Sequence, residues 1–202
     1  MSKIAVLVLA AGGSRRMGKP KQLLNWNGKP LLQHTIDQAL NSDCDKVLVV
    51  MGADYELIKS KINTDGITIL KHLNWEIGLG SSIAFGIDYT KNSLSAIDGV
   101  LITLADQPFV DSNYLNQMIE TYRLNEAKIV ASLYPNNKLG VPAIFNKIFF
   151  DELTQLNADK GAKEILSKYS DKLLSLDASS LVVDLDTMED YEKLLQSNSD
   201  NE

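Results

Sequence analysis

The sequence predicts an α/β fold: a single-domain, three-layer α/β/α sandwich around a mostly parallel, Rossmann-like sheet. Residues 4–11 form a continuous run of aliphatic and β-branched side chains, which is typical of a parallel strand buried on both faces. A helical pattern and a second apolar run at 46–51 complete a strand–helix–strand unit within about fifty residues. With 202 residues, 45% of them hydrophobic, and no compositional break, the chain is long enough for one sizeable core.

Local patterns justify the individual elements. Gly28-Lys29-Pro30 opens the first helix, because proline is favoured in a first turn and apolar residues then recur at helical spacing. Either Asp111 or Ser112 caps a later helix, and Thr187 with Asp190 has the pattern of a capping box for the closing helix. The other predicted elements are helices at 54–62, 83–89 and 148–156, a helix opening at 159–163, and strands at 67–70, 99–106, 128–134, 140–145 and 181–186.

Composition and charge narrow the functional class. The net charge of −6 argues against a protein that coats nucleic acid, and no apolar run approaches the roughly twenty residues that cross a bilayer. The single cysteine, Cys44, excludes an internal disulfide and a cysteine-clustered zinc site, and favours a reducing cytoplasm. His34 and His72 lack partners at ligand spacing, so we interpret both as packing or surface residues. We expect one domain over 1–196 and a polar, disordered tail over 197–202.

A basic loop that contains glycines follows the first strand. Four cations lie within seven positions, namely Arg15, Arg16, Lys19 and Lys21. Residues 13–19 match the Walker A pattern up to its last place, where Pro20 replaces the hydroxyl residue that binds magnesium; the glycines give no dinucleotide fingerprint either. We therefore interpret the loop as a phosphate site of another kind. A surface loop with solvated arginines is the alternative.

Two further segments contain candidate binding residues. Asp106 ends a strongly apolar strand at the same sheet edge as the basic loop, where carboxylates and magnesium meet in many α/β enzymes. An aspartate that only caps the turn is the alternative. Ser81 and Ser82 follow Gly80 just before a helix. Either one serine caps that helix, or the segment brings hydrogen-bond donors close to a planar ligand.

The segment from Leu9 to Lys21, L-A-A-G-x-S-x-R-M-G-x-x-K, resembles the signature of the nucleotidyltransferases that attach a nucleotide to molybdopterin. The resemblance spans residues 4–195 and implies the nucleotide-diphospho-sugar transferase type of fold. Further segments are similar to that family in the family's order, at 74–82, at 104–108 (L-A-D-Q-P), at 158–163 and at 184–191 (D-x-D-T-x-E-D-Y).

The resemblance implies a role for each matching residue. In the family the glycine loop wraps the triphosphate of the incoming nucleotide, so Gly12, Gly13 and Ser14 would cradle the phosphates. Arg16 and Lys21 would offset the phosphate charge. Leu9, Ala10, Ala11, Gly80, Ser81 and Ser82 would shape the rest of the nucleotide site. Asp106 and Asp186 are the implied ligands of Mg²⁺.

Two positions depart from the family pattern. Val141 stands in Gly140-Val141-Pro142 where the family often has a polar residue, so no side-chain hydrogen bond from position 141 to an acceptor is expected. Ala158 replaces a glycine in the segment that continues with Asp159. For that aspartate an ordinary helix N-cap is the alternative role.

The resemblance implies a Mg²⁺-dependent cytidylyltransferase that transfers CMP from CTP to the terminal phosphate of molybdopterin and releases pyrophosphate. Ala11 favours cytosine, because the guanylyl branch tends to have glycine there. The expected partners are CTP and molybdopterin, with a molybdoenzyme receiving the product, and neither nucleic acid nor a membrane. Two alternatives stay open: the same chemistry with GTP or another phosphorylated acceptor, and a P-loop kinase or a non-catalytic carrier of the molybdenum cofactor.

Overall fold

A computed structural model describes residues 1–14, 17–125, 127–158, 161–183, 185 and 187–199 of the chain. The strands are β1 Ile4–Ala10, β2 Asn25–Trp26, β3 Lys29–Pro30, β4 Lys46–Met51, β5 Ile67–Lys71, β6 Gly99–Leu104, β7 Ile129–Tyr134, β8 Lys138–Asn146 and β9 Leu174–Asp177. The helices are α1 Leu31–Leu40, α2 Tyr55–Lys59, α3 Leu79–Ser93, α4 Ser112–Leu124, α5 Phe150–Leu153, α6 Lys163–Lys168 and α7 Met188–Ser199.

The main sheet has the strand order β5-β4-β1-β6-β8-β7-β9, and only β8 is antiparallel to its neighbours. The predicted α/β fold with a mostly parallel sheet is therefore confirmed. Strands β1 and β6 lie side by side, with Leu9 opposite Leu104. The amide of Ala105 continues this pairing by donating to the carbonyl of Leu9 at 3.1 Å. The loops after these two strands consequently start next to each other at the carboxyl edge of the sheet.

Side chains along β1 point alternately to the two faces of the sheet, where the helices of the two outer layers pack against them. Val6 and Val8 belong to a core cluster with residues of α1 and α4 on one face of the sheet. Leu7 and Leu9 point the other way, into a second cluster that includes residues of α3, α5 and α6. Every residue of β1 is buried. A strand covered on both faces explains the unbroken apolar run that predicted it.

Helix α3 approaches β1 closely at Gly86. A Cβ atom on Gly86 would lie 2.6 Å from Cδ1 of Leu7, which is fully buried. We expect Gly86→Ala to lower the free energy of unfolding by about 1–3 kcal/mol through overpacking, measured by urea denaturation. Gly12→Ala is the control, because a Cβ there would meet no atom within 4 Å. A Gly86→Ala protein as stable as the wild type would contradict this packing.

A third, smaller cluster joins the C-terminal segment to the region after the basic loop. Trp26, Leu31, Leu185 and Tyr191 are buried in it together. The hydroxyl of Tyr191 also donates to the carbonyl of Asn25 at 2.5 Å. Leu185 and Tyr191 are thus fixed beside the segment that follows Lys21.

The predicted last strand is corrected by the structure. Residues 181–183 and 185 form no strand, and the strand of this region is β9, which pairs in parallel with β7. The amides of Leu181 and Val182 both donate to the carbonyl of Ala178, so the chain turns there. Both side chains still pack against the core. The run is therefore apolar because it covers the core and not because it extends the sheet.

Helix boundaries differ from the predictions at several places. Helix α3 begins at Leu79, so Ser81 and Ser82 lie in its first turn and neither is its cap; the N-cap is Gly78, at a φ of 127°. The region predicted as a helix at 148–156 contains the single turn of α5 after a 3₁₀ turn at Lys147–Phe149. The helix ends after these four residues, and the amide of Thr154 closes its turn by donating to the carbonyl of Phe150.

The predicted helix caps near both acidic positions are confirmed. Asp111 caps α4 by accepting a hydrogen bond from the amide of Tyr114 at 2.8 Å. Thr187 and Asp190 form the reciprocal capping box of α7, with amide-to-side-chain distances of 2.9 and 3.1 Å. Helix α7 continues to Ser199, three residues into the segment for which disorder was expected. Within the described part of the chain, no helix is long and apolar enough to span a bilayer.

Candidate active site

A cavity of about 430 Å³ opens at the carboxyl edge of the sheet, between the ends of β1 and β6 and the start of α3. Seven of the residues predicted for the nucleotide site line it: Leu9, Ala10, Ala11, Gly12, Lys21, Ser82 and Asp106. Further lining residues are Gln22, Trp75, Glu76, Gly78, Leu79, Leu104 and Ala105. The first and third segments of the resemblance thus meet in one cavity, although they are about ninety residues apart in the sequence.

Lys21 and Asp106 face each other in this cavity. The Nζ atom of Lys21 forms an ion pair with Oδ2 of Asp106, and the exposed fractions of the side chains are 22% and 14%. In a partly buried cavity, a cation and a carboxylate neutralise each other until a charged ligand binds to one of them. A phosphate would draw the ammonium group, and a metal ion would draw the carboxylate.

The glycine loop before Lys21 is held by side-chain hydrogen bonds. Gln22, only 2% exposed, donates from Nε2 to the carbonyls of Ala10 at 2.9 Å and Gly12 at 2.8 Å. The Oγ atom of Ser14 accepts a hydrogen bond from the amide of Lys21 at 2.9 Å, and the backbone of Ser14 has a φ of 47°. One buried amide group therefore fixes the turn of the glycine loop. No sequence pattern pointed to Gln22 beyond its place next to Lys21.

Trp75 forms a wall of the same cavity and contacts the glycine loop. A Cβ atom on Gly13 would lie 2.9 Å from Cη2 of Trp75, and one on Gly52 would lie 2.4 Å from its Cγ. The indole therefore lies directly against two glycines, one in the loop and one after β4. The resemblance included Trp75 in a matching segment, but only the structure shows this contact.

The Gly80-Ser81-Ser82 segment serves three different purposes. Ser82 lines the cavity and is 3% exposed. Gly80 allows close packing elsewhere, since a Cβ there would lie 2.6 Å from the carbonyl oxygen of Asn157. The Oγ atom of Ser81 lies 2.9 Å from Nε2 of His72, whose pKa burial lowers. Ser82 is therefore the member of the segment that reaches the predicted nucleotide site.

Both histidines have packing roles, as the sequence predicted. His72 is 7% exposed and its ring stacks on Phe85 at a centroid distance of 4.7 Å. His34 donates from Nε2 to the carbonyl of Pro108 at 2.9 Å, and burial lowers its pKa. Neither ring is among the residues that line the cavity between β1 and β6.

The C-terminal segment reaches the loop that carries Asp106. The amide of Leu185 donates to the carbonyl of Asp106 at 3.1 Å, and the side chain of Leu185 is fully buried. Asp186, the predicted second carboxylate, lies outside the described residues, as do Arg16 and Asp159.

The donor chemistry of the cavity fits a magnesium ion. Among the described residues no group of three or more His, Cys, Asp or Glu side chains is arranged to hold a metal. Mg²⁺ is usually held by only one or two carboxylates together with substrate phosphates and water. Asp106 supplies such a carboxylate at the wall of the cavity.

The parallel sheet edge, the glycine loop and the facing Lys21 and Asp106 define the site of a nucleotidyltransferase. The chain belongs to the MobA-like NTP transferase family, since the model of that domain family matches residues 6–173. This extent includes the glycine loop, Trp75 and Asp106.

Two relatives match this chain over nearly its whole length. The purine catabolism protein PucB of Bacillus subtilis is 29% identical over 204 residues, covering 95% of each chain. The nicotine blue oxidoreductase of Paenarthrobacter nicotinovorans is 26% identical over 203 residues, covering 94% of this chain and 95% of that protein.

Solved structures show the same architecture. The crystal structure of Rv0371c from Mycobacterium tuberculosis has a TM-score of 0.85 and 28% identity, covering 96% of this chain and 98% of the other. Rv0371c has also been crystallised in complex with manganese; that structure has a TM-score of 0.81 and 26% identity, covering 97% and 100% of the two chains.

Proposed function

We propose that the protein transfers CMP from CTP to the terminal phosphate of molybdopterin, releases pyrophosphate and requires Mg²⁺. The observation that carries the proposal is the pairing of Lys21 with Asp106 in the cavity beside the glycine loop. A triphosphate needs a cation for its negative charge and a carboxylate for its metal ion, and this cavity has both. The choice of molybdopterin as acceptor rests on the resemblance of the loop and of the later segments to the molybdopterin nucleotidyltransferases.

The proposed reaction is an in-line displacement at the α-phosphorus. An oxygen of the acceptor's terminal phosphate attacks the α-phosphorus, and the bond between that phosphorus and the oxygen that bridges to the β-phosphate breaks. Pyrophosphate leaves with the bonding electrons. The acceptor phosphate is already ionised, so positioning and charge neutralisation suffice without a covalent enzyme intermediate.

The residues of the chain divide this work. Gly12, Gly13 and Ser14 hold the phosphates. Lys21 gives up its ion pair with Asp106 and, together with Arg16, neutralises the charge that develops on pyrophosphate. Asp106 and Asp186 would hold Mg²⁺. When bound, the metal ion would polarise the phosphate oxygens and stabilise the leaving group.

The shape of the loop should matter in addition to its charge. We expect Gln22→Leu to lower kcat/KM for the nucleotide by about 10- to 100-fold, because the carbonyls of Ala10 and Gly12 would lose their buried donor. Gln33→Leu is a matched control, since Gln33 also makes hydrogen bonds, to Asp37 and Asn63, but lines no part of the cavity. Steady-state kinetics of both variants would test this, and equal activity of Gln22→Leu and wild type would contradict it.

Ala11 supports cytosine as the base. It lines the cavity, and we assign to its methyl group the role of narrowing the space that a larger purine would need. The guanylyl branch of the resembling family tends to have glycine at this position. Ala11→Gly should therefore shift selectivity from CTP towards GTP.

The test is to incubate the purified protein with molybdopterin, Mg²⁺ and either CTP or GTP, and to measure the pyrophosphate released. We expect release with CTP, little release with GTP, and a smaller difference between them for Ala11→Gly. Release with GTP alone would assign the protein to guanylyl transfer. Binding of molybdopterin without release from either nucleotide would favour the carrier and would contradict the proposal.

A further inference from the structure

A second cavity of about 220 Å³ lies next to the first. The two share Leu9, Leu79 and Leu104 as common walls. The two cavities therefore adjoin at the sheet edge. Together the two cavities have the size of a small-molecule site, roughly 300–1,000 Å³.

The walls of the second cavity are mostly aliphatic. Leu139 and Val141 of β8 face Leu166 of α6 and Ile83 of α3 across it. The hydroxyl of Tyr134, which also lines it, is already engaged: it donates to the carbonyl of Val141 and accepts a hydrogen bond from Gln107. Walls of this kind favour a flat ring, and a neutral sugar would lose hydrogen bonds to water without replacing them.

The only charged residues among the described lining of this cavity are Lys138 and Lys163. Both are exposed, and neither has an ion-pair partner within the part of the chain that the structure describes. Two ammonium groups at the rim of an aliphatic cavity favour a ligand with a negative group at one edge of its ring.

Tyr134 connects this cavity to the loop that carries Asp106. Its hydroxyl bonds to Gln107, which is 1% exposed and follows Asp106 in the chain. Its ring lies against Gly140, where a Cβ would be 2.7 Å from Cζ of Tyr134. The wall that carries Val141 is thus fixed relative to the loop that carries Asp106.

We infer that the second cavity is the subsite for the body of the phosphate acceptor, and that it selects a planar ring with a negatively charged edge over a sugar. Val141 selects the apolar ring face, and Lys138 and Lys163 select the charge. This inference rests on the proposed transfer reaction, since it assumes an acceptor whose phosphate reaches the first cavity.

The test uses direct binding, so that it does not depend on catalysis. Pterin-6-carboxylate is a planar, anionic and fluorescent probe, and its binding to the full chain is measured by fluorescence titration. Glucose 1-phosphate and uncarboxylated pterin serve as the sugar and uncharged competitors. We expect pterin-6-carboxylate to bind more tightly than either competitor.

Variants assign the binding to this cavity. Val141→Thr places an unpaired hydroxyl against the ring and should raise Kd about tenfold. The double variant Lys138→Gln/Lys163→Gln changes only exposed side chains and should also raise Kd about tenfold. Lys61→Gln is the control, because Lys61 is exposed and lines neither cavity.

Asp106→Asn separates the inference from the proposed function. It should leave binding of pterin-6-carboxylate unchanged while transfer is lost. Normal probe binding by a wild-type protein that transfers no nucleotide would contradict the proposed function and leave the subsite standing. Unchanged Kd values in both the Val141 and lysine variants, tighter binding of glucose 1-phosphate, or no binding of pterin-6-carboxylate would overturn the subsite.

Discussion

Asp106→Asn is expected to lower kcat/KM for nucleotide transfer by about 1,000-fold or more. The substitution keeps the shape of the side chain but removes the negative charge that would hold Mg²⁺ against the α-phosphate. Loss of a single group that stabilises transition-state charge costs roughly 10²–10³ in rate, and loss of a metal ligand also weakens metal binding. Pyrophosphate release under saturating Mg²⁺ measures the effect.

Asp151→Asn is the matched control for this substitution. Asp151 also forms an ion pair with a lysine, Lys91, but its side chain is 83% exposed and it lies outside the cavity. We expect wild-type activity from this variant. Asp106→Asn should keep a far-UV circular dichroism spectrum and a melting temperature close to those of the wild type. An active Asp106→Asn protein would show that the carboxylate is not part of the reaction.

Lys21→Ala should lower kcat/KM by about 100- to 1,000-fold, because the phosphates would lose the cation that faces them. The same substitution leaves Asp106 without its partner, and the freed carboxylate should retain or gain affinity for a divalent ion. Steady-state kinetics with varied CTP and varied Mg²⁺ separate these effects: KM for the nucleotide should rise, whereas the Mg²⁺ requirement should not.

Lys91→Ala controls for the loss of a surface lysine that pairs with an aspartate. Its side chain is 48% exposed, so the expected change in activity is negligible. An unchanged KM and kcat in Lys21→Ala would instead mean that the triphosphate binds away from this lysine, and the roles given to the glycine loop would have to be abandoned.

The central strands could be predicted because strands that are buried on both faces appear in the sequence as runs of apolar residues. β1, β4 and β6 are covered on both faces, so each is a mostly aliphatic run. Strand β9 was missed because its four residues, Leu-Ser-Leu-Asp, are mostly exposed and it forms only through pairing with β7. The run at 181–186 was misassigned for the converse reason: its apolar residues pack on the core without pairing. Long-range pairing does not appear in a local pattern.

In the candidate site, too, some residues could be predicted from local sequence and others depend on contacts made only in the folded chain. Lys21 and Asp106 could be predicted because a cationic glycine loop and a carboxylate at a strand end have recognisable chemistry, whereas Ala11 was implied by the resemblance. The structure brings all three into one cavity. The part played by Gln22 depends on carbonyl groups that only the folded turn directs towards it. The fit of Trp75 against Gly13 depends on a contact between segments about sixty residues apart. Such contacts are properties of packing, so residue type alone does not reveal them.

The proposed reaction requires one divalent ion that Asp106 would hold beside the phosphates and the glycine loop. A crystal structure of the protein with CTP and Mn²⁺, in which anomalous scattering locates the ion, tests it most directly. We expect one ion, coordinated by oxygen atoms of Asp106, Asp186 and the α-phosphate, with Lys21 moved onto the triphosphate. An ion bound elsewhere, or carboxyl groups of Asp106 and Asp186 too far apart to share it, would contradict the account.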